Sequence, residues 1–294
     1  MKLEQVLVVY KRTAYELHCE EERDPRILQL VAENHFTVQD LIKAHQEHRE
    51  TMDRVGTALD ELKAPHRFVR RTDVRETQES ALVVTVGGDG TFLDASHHVR
   101  ERPMLGVNSS PSSSVGVFCG ATGKTVKAVL ADILKGKSNP VAVNRLAVLL
   151  NGNAIQEPAL NEVLICAQNP ATTARYVVEI SKKKEHQKSS GIYVGTAAGS
   201  TAAIRAAGGT LLPIVSKKVQ YLVREPYRER GHKLSLLKGA LPPKGGMKVW
   251  SKLKNGMIFI DGAHVRYRFD FGDELQIIPE FLPLPVYGLI GKKR

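Results

Sequence analysis

The stretch VVTVGGDGTFLDAS, residues 83–96, decides the fold of the first part of this chain. Residues that favour β-structure lead into two glycines, an aspartate, a third glycine and a threonine, and a helical pattern follows. A glycine-rich turn between a strand and a helix lets the backbone approach phosphate oxygens, and the first N–H groups of the helix point at the anion. The stretch therefore predicts a phosphate-binding turn. Its candidate residues are Gly87, Gly88, Gly90 and Thr91.

Asp89 lies inside this turn, although a carboxylate repels phosphate unless it binds a metal ion or takes a proton. Phosphoryl transfer needs positioning, charge neutralisation, and a base or metal ligand at the attacking hydroxyl. Asp89 could accept the proton of that hydroxyl, hold Mg²⁺, or do both, which predicts a kinase. The alternative is structural: a tight strand-to-helix turn in which Asp89 is the N-cap.

The sequence around the turn predicts an α/β domain. A long helix is expected from Thr37, as its N-cap, to about Lys63. Because strands and helices alternate and one strand is almost wholly apolar, we expect a parallel, Rossmann-like sheet covered on both faces. The expected strands are Leu3–Tyr10, 66–71, 81–86 and 103–108.

Beyond about residue 140 the pattern changes to short β-type runs, which predict a β-rich, mainly antiparallel second domain. Asn151-Gly152 is typical of a tight hairpin turn. The stretch SKKKEHQKSS, residues 181–190, is expected to form a hairpin tip, with Lys188 either solvated or in contact with a ligand. The apolar, proline-rich tail FLPLPVYGLIGKKR is expected to pack on another part of the protein.

The net charge of +11 among 294 residues favours an anionic partner. Basic clusters interleaved with aromatic residues and zinc-finger spacings are absent, which favours a small polyphosphate over nucleic acid. No run of about 18 apolar residues occurs, so no membrane span is expected. The start of the chain does not resemble a signal peptide, and the three cysteines are far apart, so we expect free thiols and a cytoplasmic location.

Two further motifs have plain interpretations. GATGKT, residues 120–125, imitates the end of a Walker A loop, but the full pattern needs a glycine where Phe118 stands, so we expect a helix start with Lys124 exposed. Asp94 could assist Mg²⁺, but an acidic residue on the helix surface is the simpler interpretation.

The GGDGT turn resembles the nucleotide-phosphate motif shared by NAD kinases, diacylglycerol and sphingosine kinases and, as GGDG, phosphofructokinases. Two further stretches are similar to NAD kinases in particular: LNEVLI, which carries Asn161-Glu162, and GTAAGSTAAIRAAGG, residues 195–209. PMLGVN and FIDG follow the order of that family. The resemblance spans roughly residues 81–262.

This resemblance implies a kinase that transfers the γ-phosphate of ATP, with Mg²⁺ or another divalent cation, to the adenosine ribose 2′-hydroxyl of NAD⁺ or NADH. Asp89 would be the general base, and the glycine turn would hold the ATP phosphates. The dinucleotide-binding residues that it implies are Asn161, Glu162, Ser190, Thr201, Ala202, Ala203 and Asp261.

The family's architecture implies an α/β domain at 1–106, completed by a returning segment at 282–294, and a β-rich domain at 107–281. The ligand site would lie in the cleft between them. The resemblance also implies a homo-oligomer, either a dimer or a tetramer.

Three departures from the common pattern resemble the plant-type NADH kinase branch. Ser190 replaces an aspartate of the dinucleotide site, Ala203 replaces a tyrosine, and SSPSSSVGVF at 109–118 is longer than the usual loop. Loss of a carboxylate weakens the attraction for the positively charged pyridinium, which NAD⁺ has and NADH lacks. The hypothesis is that NADH is used at least as well as NAD⁺.

Two other functions stay open at this point. A lipid kinase of the diacylglycerol or sphingosine type could use the same GGDGT turn, although Asn161-Glu162 and residues 195–209 argue against it. A non-catalytic protein that binds dinucleotides or nucleic acid is the other alternative, and the intact Asp89 argues against that one. The sequence leaves the donor open between ATP and polyphosphate.

Overall fold

The computed structural model describes residues 5–75, 77, 79–228, 233–279 and 283–289. The chain divides into two compact units. The first comprises Met1–Val141 with Leu284–Arg294, and the second comprises Ala142–Pro283. Of the returning segment expected at 282–294, residues 282 and 290–294 lie outside the described residues, as do the first residues of the expected strand Leu3–Tyr10.

Nineteen strands are present in the described ranges. In chain order they are β1 (Val6–Tyr10), β2 (His66–Arg70), β3 (Leu82–Gly87), β4 (Met104–Asn108), β5 (Cys119–Thr122), β6 (Val141–Val143), β7 (Ala147–Leu150), β8 (Asn153–Ala154), β9 (Glu162–Ala167), β10 (Ala174–Ile180), β11 (Lys183–Ser189), β12 (Gly191–Gly195), β13 (Gln220–Arg224), β14 (Lys238–Ala240), β15 (Met247–Ser251), β16 (Gly256–Ile260), β17 (Val265–Arg268), β18 (Glu274–Ile278) and β19 (Leu284–Val286).

Five α-helices are described, and none of the helices in these ranges is long and apolar enough to cross a membrane. They are α1 (Pro25–Ala32), α2 (Phe36–Glu61), α3 (Asp89–Ser96), α4 (Val126–Leu134) and α5 (Ala203–Ala206). One π-helical segment, Glu16–Glu21, and two 3₁₀ segments, Arg71–Asp73 and Ala198–Thr201, complete the helical structure.

The first unit is built on a parallel sheet, as the sequence predicted. Its strands run in the order β2-β1-β3-β4, and the other edge of β4 pairs in parallel with both β5 and β19. Chain order therefore reverses direction between β1 and β3. In an open parallel sheet of this order, such a switch point at the carboxyl ends of the strands is where ligands bind.

Both faces of this sheet are covered. Residues Val8 and Val84 share an apolar cluster with Val55 of α2 and Leu130 of α4, which places both helices on one face. Helix α3 packs on β1, β3 and β4 but contributes nothing to that cluster, so it covers the other face. Burial on both faces explains why β3 is apolar along nearly its whole length.

The first unit extends beyond the boundary that we predicted between residues 106 and 107. The reason is that β5 pairs with β4 and α4 packs on α2, so residues up to Val141 belong to the first sheet and its helices. The sequence did not indicate β5 as a strand, because CGAT is short and carries no β-branched run.

Helix α2 begins two residues earlier than predicted. His35, not Thr37, is the N-cap, and its Nδ1 accepts from the backbone N–H of Thr37 at 3.4 Å. Helix α1 was not predicted. Its start signal was nevertheless present, because Asp24 accepts from the backbone N–H groups of Arg26 and Ile27 and Pro25 occupies the first position.

The second unit consists of two six-stranded antiparallel sheets, which confirms the predicted β-rich domain. One sheet has the order β11-β10-β15-β18-β7-β8, and the other has the order β14-β13-β12-β9-β16-β17. Alternate residues of both sheets form one apolar core, in which Val163 and Ile192 pack with Val178, Val249 and others. The outward residues of β9 include Glu162, which begins that strand.

Two turns of this unit compare directly with the predictions. Asn151-Gly152 joins β7 to β8 with positive φ at both residues, +51° and +79°, as a tight Asn-Gly hairpin requires. The predicted hairpin tip between two strands is present in the stretch 181–190, where it joins β10 to β11, but it is shorter than predicted. The turn is only Ser181-Lys182, and most of the stretch is β11, whose backbone pairs along its full length with β10.

Candidate active site

The predicted phosphate-binding turn lies at the carboxyl edge of the first sheet. Strand β3 ends at Gly87, Gly88 is the N-cap of α3, and Asp89 is the first residue of that helix. The turn therefore combines free N–H groups at a helix start with the β1/β3 switch point. An anion bound here would be met by backbone donors, as in other glycine-rich turns.

Asp89 is not the N-cap that the structural alternative required. Its Oδ2 accepts from the backbone N–H of Val117 at 2.9 Å, and its Oδ1 accepts from that of Phe118 at 2.8 Å. The carboxylate therefore holds the end of residues 109–118, called here the serine loop, against the glycine turn. A carboxylate has about four lone-pair sites, so each oxygen can still accept one more proton donor.

Positions 87 and 90 of the turn are occupied by glycine for different physical reasons. A Cβ atom on Gly87 would lie 2.2 Å from the Thr91 Oγ1, so close packing alone requires glycine there. At Gly90, by contrast, no described atom lies within 4 Å of the Cβ position, and the backbone is helical. The Thr91 hydroxyl, 2% exposed, has no hydrogen-bond partner among the described residues. Glycine at position 90 therefore leaves open space beside the turn, and packing does not explain it.

A buried histidine forms a hydrogen bond to the first residue of the serine loop. His48 of α2 is 1% exposed, and its Nδ1 lies 2.9 Å from the Ser109 Oγ. Burial, with the neighbouring Lys11 ammonium, lowers the pKa of His48 to about 4, and the ring also bonds to the backbone of Lys11. A neutral ring fits this position, because one nitrogen can donate to the Lys11 carbonyl while Nδ1 accepts from Ser109. Nothing in the sequence marks His48 as part of this site beyond its place on the apolar side of α2.

In the second unit, Asn161 and Glu162 lie where β9 begins, and Asp261 holds them in place. The carboxylate of Asp261 accepts from three successive backbone N–H groups, those of Leu160 at 2.8 Å, Asn161 at 2.7 Å and Glu162 at 3.0 Å. Asp261 has φ of +52°, and its own N–H donates to the Glu162 carbonyl oxygen. These bonds make Asp261 a residue that fixes the Asn-Glu backbone. Its expected contact with the dinucleotide stays a prediction.

The Gly-Ser-Thr stretch packs directly on the same pair. The backbone N–H of Thr196 donates to the Asn161 carbonyl oxygen at 2.9 Å, and the Thr196 hydroxyl donates to the Leu160 carbonyl oxygen. A Cβ atom on Gly199 would lie 2.1 Å from the Asn161 carbonyl oxygen. Two sequence motifs separated by more than thirty residues, LNEV and TAAGST, are therefore one structural cluster.

The side chains of the Asn-Glu pair carry polar atoms without partners. Asn161 is 7% exposed and Glu162 is 8% exposed, yet the Asn161 Oδ1 and the Glu162 Oε2 have no hydrogen-bond partner among the described residues. Burial, and then the nearby Asp261 carboxylate, raise the pKa of Glu162 to about 8. A buried polar atom without a partner costs free energy, and a ligand that supplies donors would remove that cost.

The remaining predicted residues are not all in this cluster. Thr201 and Ala202 are half-buried at the end of the same stretch, and Ala203 is exposed at the start of α5. Ser190 lies before β12, whereas Gly195 at the other end of that strand pairs with Glu162. Five residues of extended strand separate Ser190 from Gly195, about 16 Å.

The surroundings of Ser190 are positively charged. Its backbone N–H donates to the carbonyl oxygen of Arg224 at 3.0 Å, and the Arg224 guanidinium lies 3.5 Å from the Ser190 carbonyl oxygen. The same guanidinium lies over the Tyr193 ring, 5.4 Å from its centre. No motif in the sequence predicted a role for Arg224.

The residues present fit a metal ion that is bound partly by nucleotide phosphates and not by a cluster of protein side chains alone. In the described part of the chain no group of three or more acidic, histidine or cysteine side chains could hold a metal ion by itself. Asp94 is paired with Arg71 at 3.1 Å, as a helix-surface acid. Asp89 is the carboxylate of the glycine turn, and Mg²⁺ is usually bound through one or two carboxylates together with substrate phosphates.

Comparison with known proteins assigns the chain to a family. The family profile described as ATP-NAD kinase N-terminal domain matches residues 7–138. The chain is 33% identical over 253 residues to a probable NADH kinase of Oryza sativa subsp. japonica, with 78% of each chain covered. It is 34% identical over 229 residues to an NADH kinase of Arabidopsis thaliana, which covers 70% of this chain and 72% of that one.

Solved structures share the fold. A crystal structure of an NAD kinase from Archaeoglobus fulgidus in complex with ATP matches with a TM-score of 0.65 at 19% identity, covering 96% of this chain and 93% of the other. A crystal structure of yeast NADH kinase complexed with NADH matches with a TM-score of 0.67 at 17% identity, covering 97% and 83%. The chain belongs to the NAD kinase family, and it is therefore a kinase.

Proposed function

We propose that the protein transfers the γ-phosphate of ATP to the adenosine ribose 2′-hydroxyl of NAD⁺ or NADH and so forms NADP(H). The observation that carries this proposal is the buried Asn161-Glu162 pair with unpartnered oxygens. A phosphate-binding turn alone would suit several kinases, whereas a buried pair that lacks donors needs a ligand with hydroxyl or amino groups. The relatives in Oryza and Arabidopsis, both named NADH kinases, support the same substrate class.

The phosphates of ATP are held, in this proposal, by the backbone N–H groups that follow Gly88. The helix start of α3 supplies a partial positive charge, and the open space beside Gly90 leaves room for phosphate oxygens. The Thr91 hydroxyl is a further donor without a partner. A divalent cation bound to ATP would neutralise part of the triphosphate charge.

Asp89 acts as the general base in this mechanism. Its two bonds to the backbone of Val117 and Phe118 fix the direction of the carboxylate, and lone pairs remain to accept a hydroxyl proton. A base that is fixed by the protein needs little reorganisation when the proton moves. The hydroxyl oxygen then attacks the γ-phosphorus, the bond to the β-phosphate oxygen breaks, and ADP leaves.

Asn161 and Glu162 bind the adenosine side of the dinucleotide. Because the pKa of Glu162 is raised to about 8, its carboxyl is largely protonated at neutral pH and can both donate and accept. Asn161 offers an amide oxygen and two N–H donors. Thr201 and Ala202 line the same pocket in this proposal. Asp261 positions the pair through its three backbone bonds, and its contact with the dinucleotide stays a prediction.

NADH is the favoured dinucleotide. Ser190 lies about 16 Å of strand from the residues assigned to adenosine, so it suits the nicotinamide end, where NAD⁺ and NADH differ in charge. The position has a serine in place of a carboxylate, and the Arg224 guanidinium is beside it. A positive group repels the pyridinium of NAD⁺ but not the uncharged dihydronicotinamide of NADH.

Three coarser expectations remain predictions of this proposal. Mg²⁺ is the expected cation, the assembly is expected to be a dimer or tetramer, and the location is expected to be cytoplasmic. Activity after chelation and re-addition of Mg²⁺, sedimentation at working concentration, and microscopy of a tagged chain would test them in turn.

The test of the function is a product assay with purified protein. ATP and Mg²⁺ are supplied with NAD⁺, with NADH, or with a lipid extract, and NADP(H) is detected by a dehydrogenase that uses only NADP(H). We expect NADP(H) from both dinucleotides, faster from NADH, and no labelled lipid from γ-labelled ATP. Labelled lipid without NADP(H) would favour the lipid kinase alternative. A parallel arm with polyphosphate in place of ATP decides the donor.

A further inference from the structure

We propose that Lys11 is a phosphate-binding residue that contacts the nucleotide at the glycine turn. The inference rests on the proposed function, because it assumes that this turn receives a polyphosphate. It adds a side-chain cation to a turn whose other donors are backbone groups and the Thr91 hydroxyl.

The position of Lys11 follows from the strand register. Tyr10, the last residue of β1, pairs with Val86, and the backbone N–H of Lys11 donates to the Val86 carbonyl oxygen at 3.4 Å. Lys11 is therefore the neighbour of Gly87 across the β1/β3 junction. This junction is the switch point of the sheet, where the carboxyl ends of two parallel strands diverge and leave space for a ligand.

The direction of the side chain also suits the turn. Val6 and Val8 face α2 and α4, so Leu7 and Val9 face the opposite side, which α3 covers. Lys11 directly follows β1, and its ammonium acts on His48 of α2 on one side and on Arg71, which pairs with Asp94 of α3, on the other. The ammonium therefore lies at the carboxyl edge of the sheet, between the helices of the two faces.

Lys11 forms no ion pair with a carboxylate in the part of the chain that the structure describes, although the charge of Glu16 lies near enough to act on it. Burial and the neighbouring Arg71 lower the pKa of Lys11, while Glu16 acts weakly in the other direction. Arg71 is already paired with Asp94, and Glu16 accepts from the backbone of Thr13. A half-buried ammonium without a partner costs free energy, which a phosphate group would offset.

The backbone of Lys11 is held firmly. His48 bonds to the Lys11 backbone on one side and to the Ser109 hydroxyl on the other, so it links the end of β1 to the serine loop. A cation that follows a fixed backbone loses less entropy when it binds phosphate than one on a mobile loop. The buried histidine fixes the backbone at this position. A lysine that was merely solvated would not require a fixed backbone.

The experiment compares Lys11→Met with Lys124→Met, an exposed lysine in the same unit. Methionine retains the length of the side chain and removes the charge, so Lys11→Met should melt at the same temperature as the wild type or higher. We expect the Kd of ATP, measured by calorimetry without dinucleotide, and the KM of ATP to rise about tenfold or more, because bonds to charged groups are strong. The KM of NADH should change less than about twofold, and Lys11→Arg should restore most of the ATP affinity.

Each outcome decides the inference. An unchanged Kd of ATP in Lys11→Met would overturn it, whatever the melting temperature, and so would an equal loss in Lys124→Met. If Lys11→Met does not fold, Lys11→Gln is measured in the same way, and the same two results apply. Failure of the proposed function gives a different pattern, namely wild-type protein that binds ATP in a Lys11-dependent manner and forms no NADP(H).

Discussion

Two Asp-Gly pairs, Asp89-Gly90 and Asp261-Gly262, use their carboxylates in the same way, but in the proposed function they support different kinds of recognition. Asp89 accepts from two backbone N–H groups of a distant loop, and Asp261 accepts from three successive backbone N–H groups at Asn161-Glu162. At the first, the groups that we propose to bind the ligand are mostly backbone N–H groups. At the second, the groups that we propose to bind the ligand are side chains with unpartnered oxygens.

The difference between the two regions corresponds to the hydrogen-bonding groups that each proposed ligand presents. A triphosphate presents only acceptors, so a turn of N–H donors and a lysine can bind it. A ribose with its base presents donors as well, so buried oxygens become useful there. In the proposed function, an aspartate that holds the backbone therefore supports a general anion site in one unit and a selective site in the other.

The largest effect is expected at Asp89. Asp89→Asn removes the base and one of the two acceptors for the backbone of Val117 and Phe118, so kcat should fall about 100-fold or more. Steady-state kinetics measure this, with Asp94→Asn as the control because that carboxylate pairs with Arg71. A loss below about threefold would mean that Asp89 serves only to hold the serine loop.

Gly90→Ala separates a ligand role from a packing role. No described atom is near the Cβ position, and alanine favours helix over glycine by about 1 kcal/mol, so the variant should be as stable as the wild type or more so. A methyl group would nevertheless occupy the space for phosphate, and we expect the KM of ATP to rise about tenfold. Thermal melting and kinetics together check this. Wild-type kinetics in the variant would exclude phosphate from this face of the turn.

Asp261→Asn should act on the dinucleotide and not on ATP. Asparagine leaves one oxygen for three N–H groups, so Asn161 and Glu162 lose their fixed position, and the KM of NADH should rise about fivefold. Asp273→Asn is the matched control, because Asp273 is also a turn carboxylate that accepts from a backbone N–H, that of Asp270. Equal effects of both variants, or a change in the KM of ATP alone, would contradict the positioning role.

Ser190→Asp tests the preference between dinucleotides. A carboxylate beside Arg224 should raise kcat/KM for NAD⁺ relative to NADH by about threefold, since a screened charge acts weakly near a surface. Ser190→Asn is the uncharged control. If the ratio does not move in the aspartate variant, the charge at position 190 does not set the preference.

Glu162→Gln should change how stability depends on pH. In the folded protein the pKa of Glu162 is about 8, against an ordinary value of 4.5, so the protein is most stable below pH 4.5 in this respect and loses stability as pH rises to about 8. Glutamine imitates the neutral form. The wild type should therefore lose about 4 kcal/mol more than Glu162→Gln between pH 5 and 8.5, measured by denaturant unfolding. Identical losses would show that Glu162 does not titrate in this range.

The sequence predicted the regions that depend on local chemistry. Gly87-Gly88 after an apolar strand predicts a turn, and Asn151-Gly152 predicts a hairpin, because glycine and asparagine favour the backbone conformations that tight turns require. The parallel sheet and the antiparallel second unit followed from residue patterns in the same way. The Asn161-Glu162 pair carried no local signal of binding and was found through its resemblance to a family.

What the sequence could not give are contacts between distant segments. The bonds from Asp261 to Leu160, Asn161 and Glu162 join residues about a hundred positions apart, and no local pattern marks them. The hydrogen bond of His48 could not be predicted for the same reason, because its partner Ser109 lies far along the chain. The stretch 181–190 was misread for another reason: its many charged residues suggested a solvated tip, whereas alternate positions face outward on strand β11.

The central claim is that Asp89 removes the proton from the 2′-hydroxyl of the adenosine ribose. The most direct measurement is a two-dimensional ³¹P–¹H correlation spectrum of the product formed from NADH and ATP, by wild-type protein and by Asp89→Asn. The account predicts a new phosphomonoester signal correlated with the H2′ proton in the wild-type product, and almost none with the variant. A monoester correlated with H3′, or equal product from both proteins, would contradict it.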